Sequence, residues 1–207
     1  PFWAELNANR PGHSTLELWR QKSRLTRILK SIRTELAAQG VELPADWDKV
    51  EGATVCNIRI DRLGVFQELR QYANEIQNPS QPDLLENRFE QNSFLHVLRH
   101  RERQSYYLPV DFPEPFNVQP ETGAELIPVA SSVRVMEELG RMNRELKVET
   151  SFKIKGMKDF VEATEANIAQ FESSFNSADR FWVKFGFLVL QRLARQSVEH
   201  RLPVIFQ

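Results

Sequence analysis

The stretch FWVKFGFLVL, residues 181–190, constrains the fold more than any other feature of this sequence. Read as a helix starting near Ser177, it is apolar nearly all round in its first half, with only Lys184, Gln191 and Arg195 as a thin polar stripe. A helix without a broad polar face is stable in water only when other elements cover it. A membrane span would need about 20 apolar residues, and Lys184 and Arg192 interrupt this run. The helix is therefore expected at the centre of the fold, with Phe181, Trp182, Phe185, Leu188 and Val189 buried and Lys184 and Gln191 at the surface.

The rest of the chain supplies amphipathic elements to cover it. Ser14 and Glu17 form a capping-box pattern. Beyond them Leu18, Leu25, Ile28, Leu29, Ile32 and Leu36 recur at helical spacing up to Gly40. Asp61 is placed to cap a helix over about 62–77, and Pro82 to open another that carries His96 and His100 and ends near Arg103. Ser131 or Ser132 opens a helix whose exposed face holds the four-apart pairs Arg134–Glu138, Glu137–Arg141 and Arg141–Glu145. A further helix carries Met157, Phe160, Thr164, Ile168, Phe171 and Phe175 on one face. VCNIRID and SFKIKG alternate apolar and polar residues as short strands, while YYLPVDFPEPF, ELIPVA and LPVIF read as extended segments. The expected fold class is α+β, mainly helical: about six helices around the apolar C-terminal helix, with several short strands. At 207 residues the chain is expected to form a single domain, residues 1–13 being an extended arm.

Composition narrows the function by exclusion. The net charge of −1 gives no global field to draw nucleic acid or an anionic membrane. Arg20, Arg24 and Arg27 fall on one side of the first helix's apolar stripe, and Lys22 and Arg33 on the other, as solvated flanks would. Nucleic acid and membrane are accordingly set aside as partners. Cys56 is the single cysteine, so neither an intramolecular disulfide nor a multi-cysteine zinc site can form. No Gly-x-Ser-x-Gly elbow and no glycine-rich phosphate loop occurs, and no catalytic residue or cofactor is assigned.

Two sets of residues stand out. His96 and His100 are four apart and share a helix face, with Tyr107 and Asp111 following in an extended segment. That spacing could present two imidazoles and a carboxylate to a metal ion or ligand, but Arg99, Arg101 and Arg103 oppose a bound cation. The favoured expectation is that the histidines are structural and Asp111 is a turn or strand-end acceptor. Trp3, Trp19 and Trp47 lie in polar surroundings and are candidate partner anchors, because tryptophan is enriched at interface hot spots.

HVLRH, YYLPVDF and IPVASSVRVMEEL together resemble an uncharacterised family of small bacterial proteins over about residues 94–139. In that family's pattern the stretch after the second histidine is acidic and contains cysteine, where this chain has RERQS. The resemblance implies a bacterial, cytoplasmic setting and no mechanism. The leading expectation is a non-enzymatic protein that binds another protein or itself, a toxin-neutralising immunity protein being one concrete version. The alternative is a metal-dependent hydrolase using His96, His100 and Asp111.

Overall fold

The computed structural model of the protein describes residues 15–43, 64–80, 92–101, 105–119, 124–148 and 180–206. The expected strands containing Cys56 and Phe152, the helix from Met157 to Phe175, the N-terminal arm and the caps at Ser14 and Asp61 lie outside these residues. Five helices and four strands are described: α1 (Thr15–Ala38), α2 (Val65–Gln77), α3 (Leu95–Leu98), β1 (Tyr106–Leu108), β2 (Phe116–Val118), β3 (Ile127–Ser131), α4 (Ser132–Leu146), α5 (Phe181–His200) and β4 (Val204–Ile205). The class is α+β and mainly helical, as the periodicities predict.

The strands form one sheet in the order β2-β3-β1-β4. The β1 strand runs parallel to β3, with Tyr107 opposite Ala130, and antiparallel to β4, with Tyr107 opposite Val204. The β2 and β3 strands pair antiparallel, Phe116 opposite Val129. Because successive side chains point to opposite faces of a strand, this small sheet serves two cores. Tyr106, Leu108, Ile127 and Val129 join Phe112, Val118 and the α1 residues Ile28, Leu29, Ile32 and Leu36. Tyr107 and Ala130 face the other way, into a core built from α2, α3, α4 and α5.

Several helix ends follow directly from local chemistry. Gly40 adopts φ +73°. Its N–H donates to Ala37 O at 3.0 Å, and that of Val41 donates to Leu36 O at 2.9 Å, the paired closure that a left-handed residue permits. α2 begins at Val65, later than the expected 62, after Gly64 at φ +93°. Ser131 caps α4, its hydroxyl accepting Arg134 N–H at 3.2 Å. The histidine-bearing helix ends at Leu98 and not near Arg103. The Ser105 hydroxyl, just before β1, accepts Arg101 N–H and donates to Arg101 O, both at 2.7 Å.

α5 lies against both α2 and α4, as its all-round apolar character demands. Phe181, Phe185, Phe187, Val189 and Leu190 are buried. Four details depart from expectation. The helix starts at Phe181 and not near Ser177, after Arg180 in a left-handed conformation. Lys184 is buried, whereas Trp182 and Leu188 are half-buried against the core edge. At Gly186 a Cβ would stand 3.1 Å from Val65 O, so glycine sets how closely α5 approaches α2.

Candidate functional site

The residues singled out around His96 do converge, but as a clasp that joins elements. His96 stands on α3 between β3 and the loop after β1. Its Nδ1 accepts Ser131 N–H at 3.0 Å, and its Nε2 donates to Pro113 O at 3.2 Å. These bonds fix the tautomer with the proton on Nε2. Both nitrogens are occupied. Burial lowers the His96 pKa to about 4, opposed by the Pro113 bond, so the ring is neutral at pH 7.

His100 is 1% exposed and fully enclosed by rings. The centroids of Phe66 and Phe206 each lie 4.4 Å from it, and that of Tyr107 5.6 Å. Neither ring nitrogen has a hydrogen-bond partner among the described residues. Burial lowers its pKa to about 3, with Arg70 adding to the effect. Tyr107 is buried as well, its hydroxyl donating to His96 O at 3.4 Å. Asp111 is displaced from this group: half exposed, it is ion-paired with Arg134, whose Nη2 donates to Asp111 Oδ2 at 3.1 Å.

The metal-dependent hydrolase is therefore overturned at the level of geometry. One imidazole is saturated, the other is walled in by aromatic rings, and the carboxylate is held by a guanidinium. No group of three potential metal ligands exists among the described residues.

Glu138 is the residue that sequence reasoning misplaced. Expected on an exposed face beside Arg134, it is 4% exposed. Its Oε1 accepts His96 N–H at 3.0 Å and its Oε2 accepts Val97 N–H at 2.8 Å, capping α3 from another helix. Burial raises the carboxyl pKa to about 7 in spite of these two bonds and the nearby Arg141, with Glu137 adding to the rise. The signal was present: Val135, Glu138, Leu139, Met142 and Leu146 share one helical phase, so Glu138 falls inside the apolar stripe. Arg134, freed from that pairing, bridges Asp111 and Glu137.

Two charged surfaces lie outside the clasp. Residues 104–133 contain Asp111, Glu114, Glu121 and Glu125 and no lysine or arginine, with Asp111 paired to Arg134 and Glu125 to Arg101. Of the described carboxylates, Glu35, Glu42 and Glu114 are exposed around Gln39. The Gln39 side-chain amide holds Glu114 on both sides, donating to its O at 2.9 Å and accepting its N–H at 3.3 Å. The second surface is basic. Arg24, Arg27, Lys30 and Arg33 are all exposed on α1. Lys30 lies between Arg27 and Arg33 on the wheel, and Arg24 and Arg33 stand about 180° apart at the two margins of the buried stripe.

Trp3 and Trp47 lie outside the described residues, as does the side chain of Trp19 on α1. No described helix is long and apolar enough to cross a membrane.

A protein-family model described as "Putative DNA-mimic protein" matches residues 20–206. The chain belongs to that family. Neither a curated protein nor a solved structure matches the chain. Two expectations are corrected by the DNA-mimic family. The toxin-neutralising immunity protein is overturned by the family's description as a DNA mimic. Setting nucleic acid aside was also wrong, because nucleic acid is what this family is described as imitating. The near-neutral net charge misled: charge summed over a chain says nothing of how runs of one sign are distributed along it.

Proposed function

We propose that this protein binds a DNA-binding protein in the place of DNA. The observation that carries the reading is the family match over residues 20–206. The distribution of carboxylates supports it. A protein that binds DNA reads a dense row of negative charge through lysine and arginine, and a mimic needs local acidity more than a large total charge. Here residues 104–133 carry acids and no lysine or arginine, and the Gln39–Glu114 bonds bring exposed Glu114 to the end of α1, close in sequence to exposed Glu35 and Glu42. In this reading residues 1–207 act as one domain in the bacterial cytoplasm, where DNA-binding proteins work, and Trp3, Trp19 and Trp47 supply apolar anchors beside the charge.

The test is affinity capture from an extract of the source cells, followed by a duplex-binding assay on each captured protein. The expected result is a captured protein that binds duplex DNA and is held less well by the Glu35→Gln, Glu42→Gln, Glu114→Gln triple variant. Capture of only proteins without DNA affinity would refute the reading.

A further inference from the structure

We propose that the outer face of α4 is an interface between two copies of this chain, which cross antiparallel at Gly140 and pair Glu137 of each copy with Arg144 of the other. The inference is independent of the mimic reading, since it rests on the fold and not on the family.

Gly140 is the glycine that the fold does not account for. Four glycines are described. Gly40 and Gly64 take positive φ values, and Gly186 has no room for a Cβ against Val65. Gly140 lies in the middle of α4, has no positive φ, and is exposed. A Cβ there would meet nothing within 4 Å among the described residues. Alanine would fit and would favour the helix, so glycine weakens α4 without serving its packing. What a bare backbone offers is close approach by something outside the fold. Helices that cross at such a residue reach the short end of the usual interaxial range, about 8 Å.

The residues around Gly140 indicate what approaches. At about 100° per residue, Met136 and Asn143 lie on one flank of Gly140, about 40° and 60° away, and Arg144 and Glu137 lie on the other, again about 40° and 60° away. Along the axis Glu137 stands about 4.5 Å before Gly140 and Arg144 about 6 Å after it. A two-fold axis that reverses the helix direction keeps each flank on its own side and exchanges before with after. Arg144 of one copy then falls within about 1.5 Å, along the axis, of Glu137 of the other, and this happens twice. On the opposite flank Met136 meets Asn143. The face is self-complementary, as a two-fold contact requires.

Both charges are placed to serve it. Arg144 has Gly140 and Arg141 one turn before it and Lys147 and Val148 one turn after, so no acid stands at helical pairing distance on α4. It is exposed and forms no ion pair among the described residues. Glu137 is 51% exposed, and the Arg134 that it meets at 3.3 Å is shared with Asp111, which engages two other nitrogens of that guanidinium. Arg141, one turn on from Glu137, donates instead to Ser93 O at 2.6 Å and covers the Phe94 ring. Half-buried Val133 and Met136 add apolar surface, and every side chain of α4 is described, so its face is complete. One helix crossing is a small contact beside the about 1,200–2,000 Å² of stable complexes, so the dimer is weak and concentration-dependent.

The experiment is sedimentation velocity of the full chain from micromolar to submillimolar protein, with circular dichroism melts in dilute solution. The parent should show a monomer–dimer equilibrium that weakens at about 1 M salt, where the screening length is about 3 Å. E137R or R144E alone sets like charges across the crossing and should weaken association at least about tenfold. E137R/R144E restores opposite charges and should return association to within a few-fold of the parent. Gly140→Ala should move the two readouts in opposite directions, raising the Tm of the dilute monomer while weakening the dimer about tenfold or more. A glycine of structural importance alone would change the melt and leave association untouched. A parent that stays monomeric throughout would overturn the proposal, as would a double reversal that fails to restore association, or Gly140→Ala associating as the parent does.

Discussion

Glu138 on α4 accepts the backbone N–H of His96 at 3.0 Å, and its second oxygen takes the next amide, that of Val97, at 2.8 Å. One buried carboxylate thus ties α4 to the start of α3, and the ring of the same His96 ties α3 to Ser131 at the end of β3 and to Pro113. Removing the acceptor strands two buried donors, each costing about 1–3 kcal/mol. Glu138→Ala should therefore destabilise by at least about 2 kcal/mol in urea melts, and a loss below about 0.5 kcal/mol would show that the amides find other partners.

The same groups set a pH dependence. His96 and His100 have folded pKa values lowered to about 4 and about 3 by burial, so the unfolded chain binds more protons than the native one below the ordinary value of 6.5. Stability should then fall as pH drops from about 6.5 toward 4. Glu138 acts with the opposite sign. Its folded pKa is raised from 4.5 to about 7, so its own contribution falls as pH rises through that window and partly offsets the histidines. Glu138→Gln should steepen the acid-side decline, measured as Tm against pH from 4 to 8.

His100 carries the larger of the two histidine shifts and makes no hydrogen bond among the described residues. Replacing an unsatisfied buried polar group with an apolar one of similar shape is close to neutral or stabilising. His100→Phe should leave stability at pH 7 within about 1.5 kcal/mol and flatten the acid limb. A metal titration of the wild-type protein by calorimetry should give no one-to-one binding that depends on this ring.

The crossing of α5 over α2 rests on Gly186. With Val65 O at 3.1 Å and Val65 Cγ1 at 3.3 Å from the added Cβ, Gly186→Ala must push two helices apart. A cost of about 1–3 kcal/mol is expected. Phe187, at 0% exposure, should cost about 3–5 kcal/mol on replacement by alanine. Half-buried Trp182 should cost less than Phe187, and equal losses in parallel melts would show that the core edge is as tightly packed as its centre.

The exposed pair Asp111–Arg134 should matter least. Its side chains are 51% and 37% exposed, and such pairs contribute about 0–1 kcal/mol. Asp111→Ala should stay in that range at 150 mM salt. A larger loss would mean that Asp111 holds the loop after β1 in a way the ion pair alone does not.

These outcomes also show where the sequence was legible. The all-round apolar run at 181–190 required a central helix, and α5 is one. The three prolines after Tyr107 required extended chain, and β1 and β2 lie on either side of them. The histidine pair was expected to be structural because the surrounding arginines oppose a cation, and both rings are buried inside the fold. Glu138 was misread because a four-residue charge pairing and an apolar phase claimed the same position, and only the tertiary fold decides between them. Arg24, Arg27 and Arg33 stand exposed around the buried stripe of α1, where the helical wheel places them.

The central claim is that this protein occupies a DNA-binding surface. It is tested most directly by competition on a captured DNA-binding partner: a labelled duplex is bound to that partner at 150 mM salt and unlabelled full-length protein is titrated in. The account predicts stoichiometric release of the duplex, shifted to higher concentrations when Glu35, Glu42 and Glu114 are changed to glutamine. A ternary complex in which the duplex stays bound at saturating protein would contradict it.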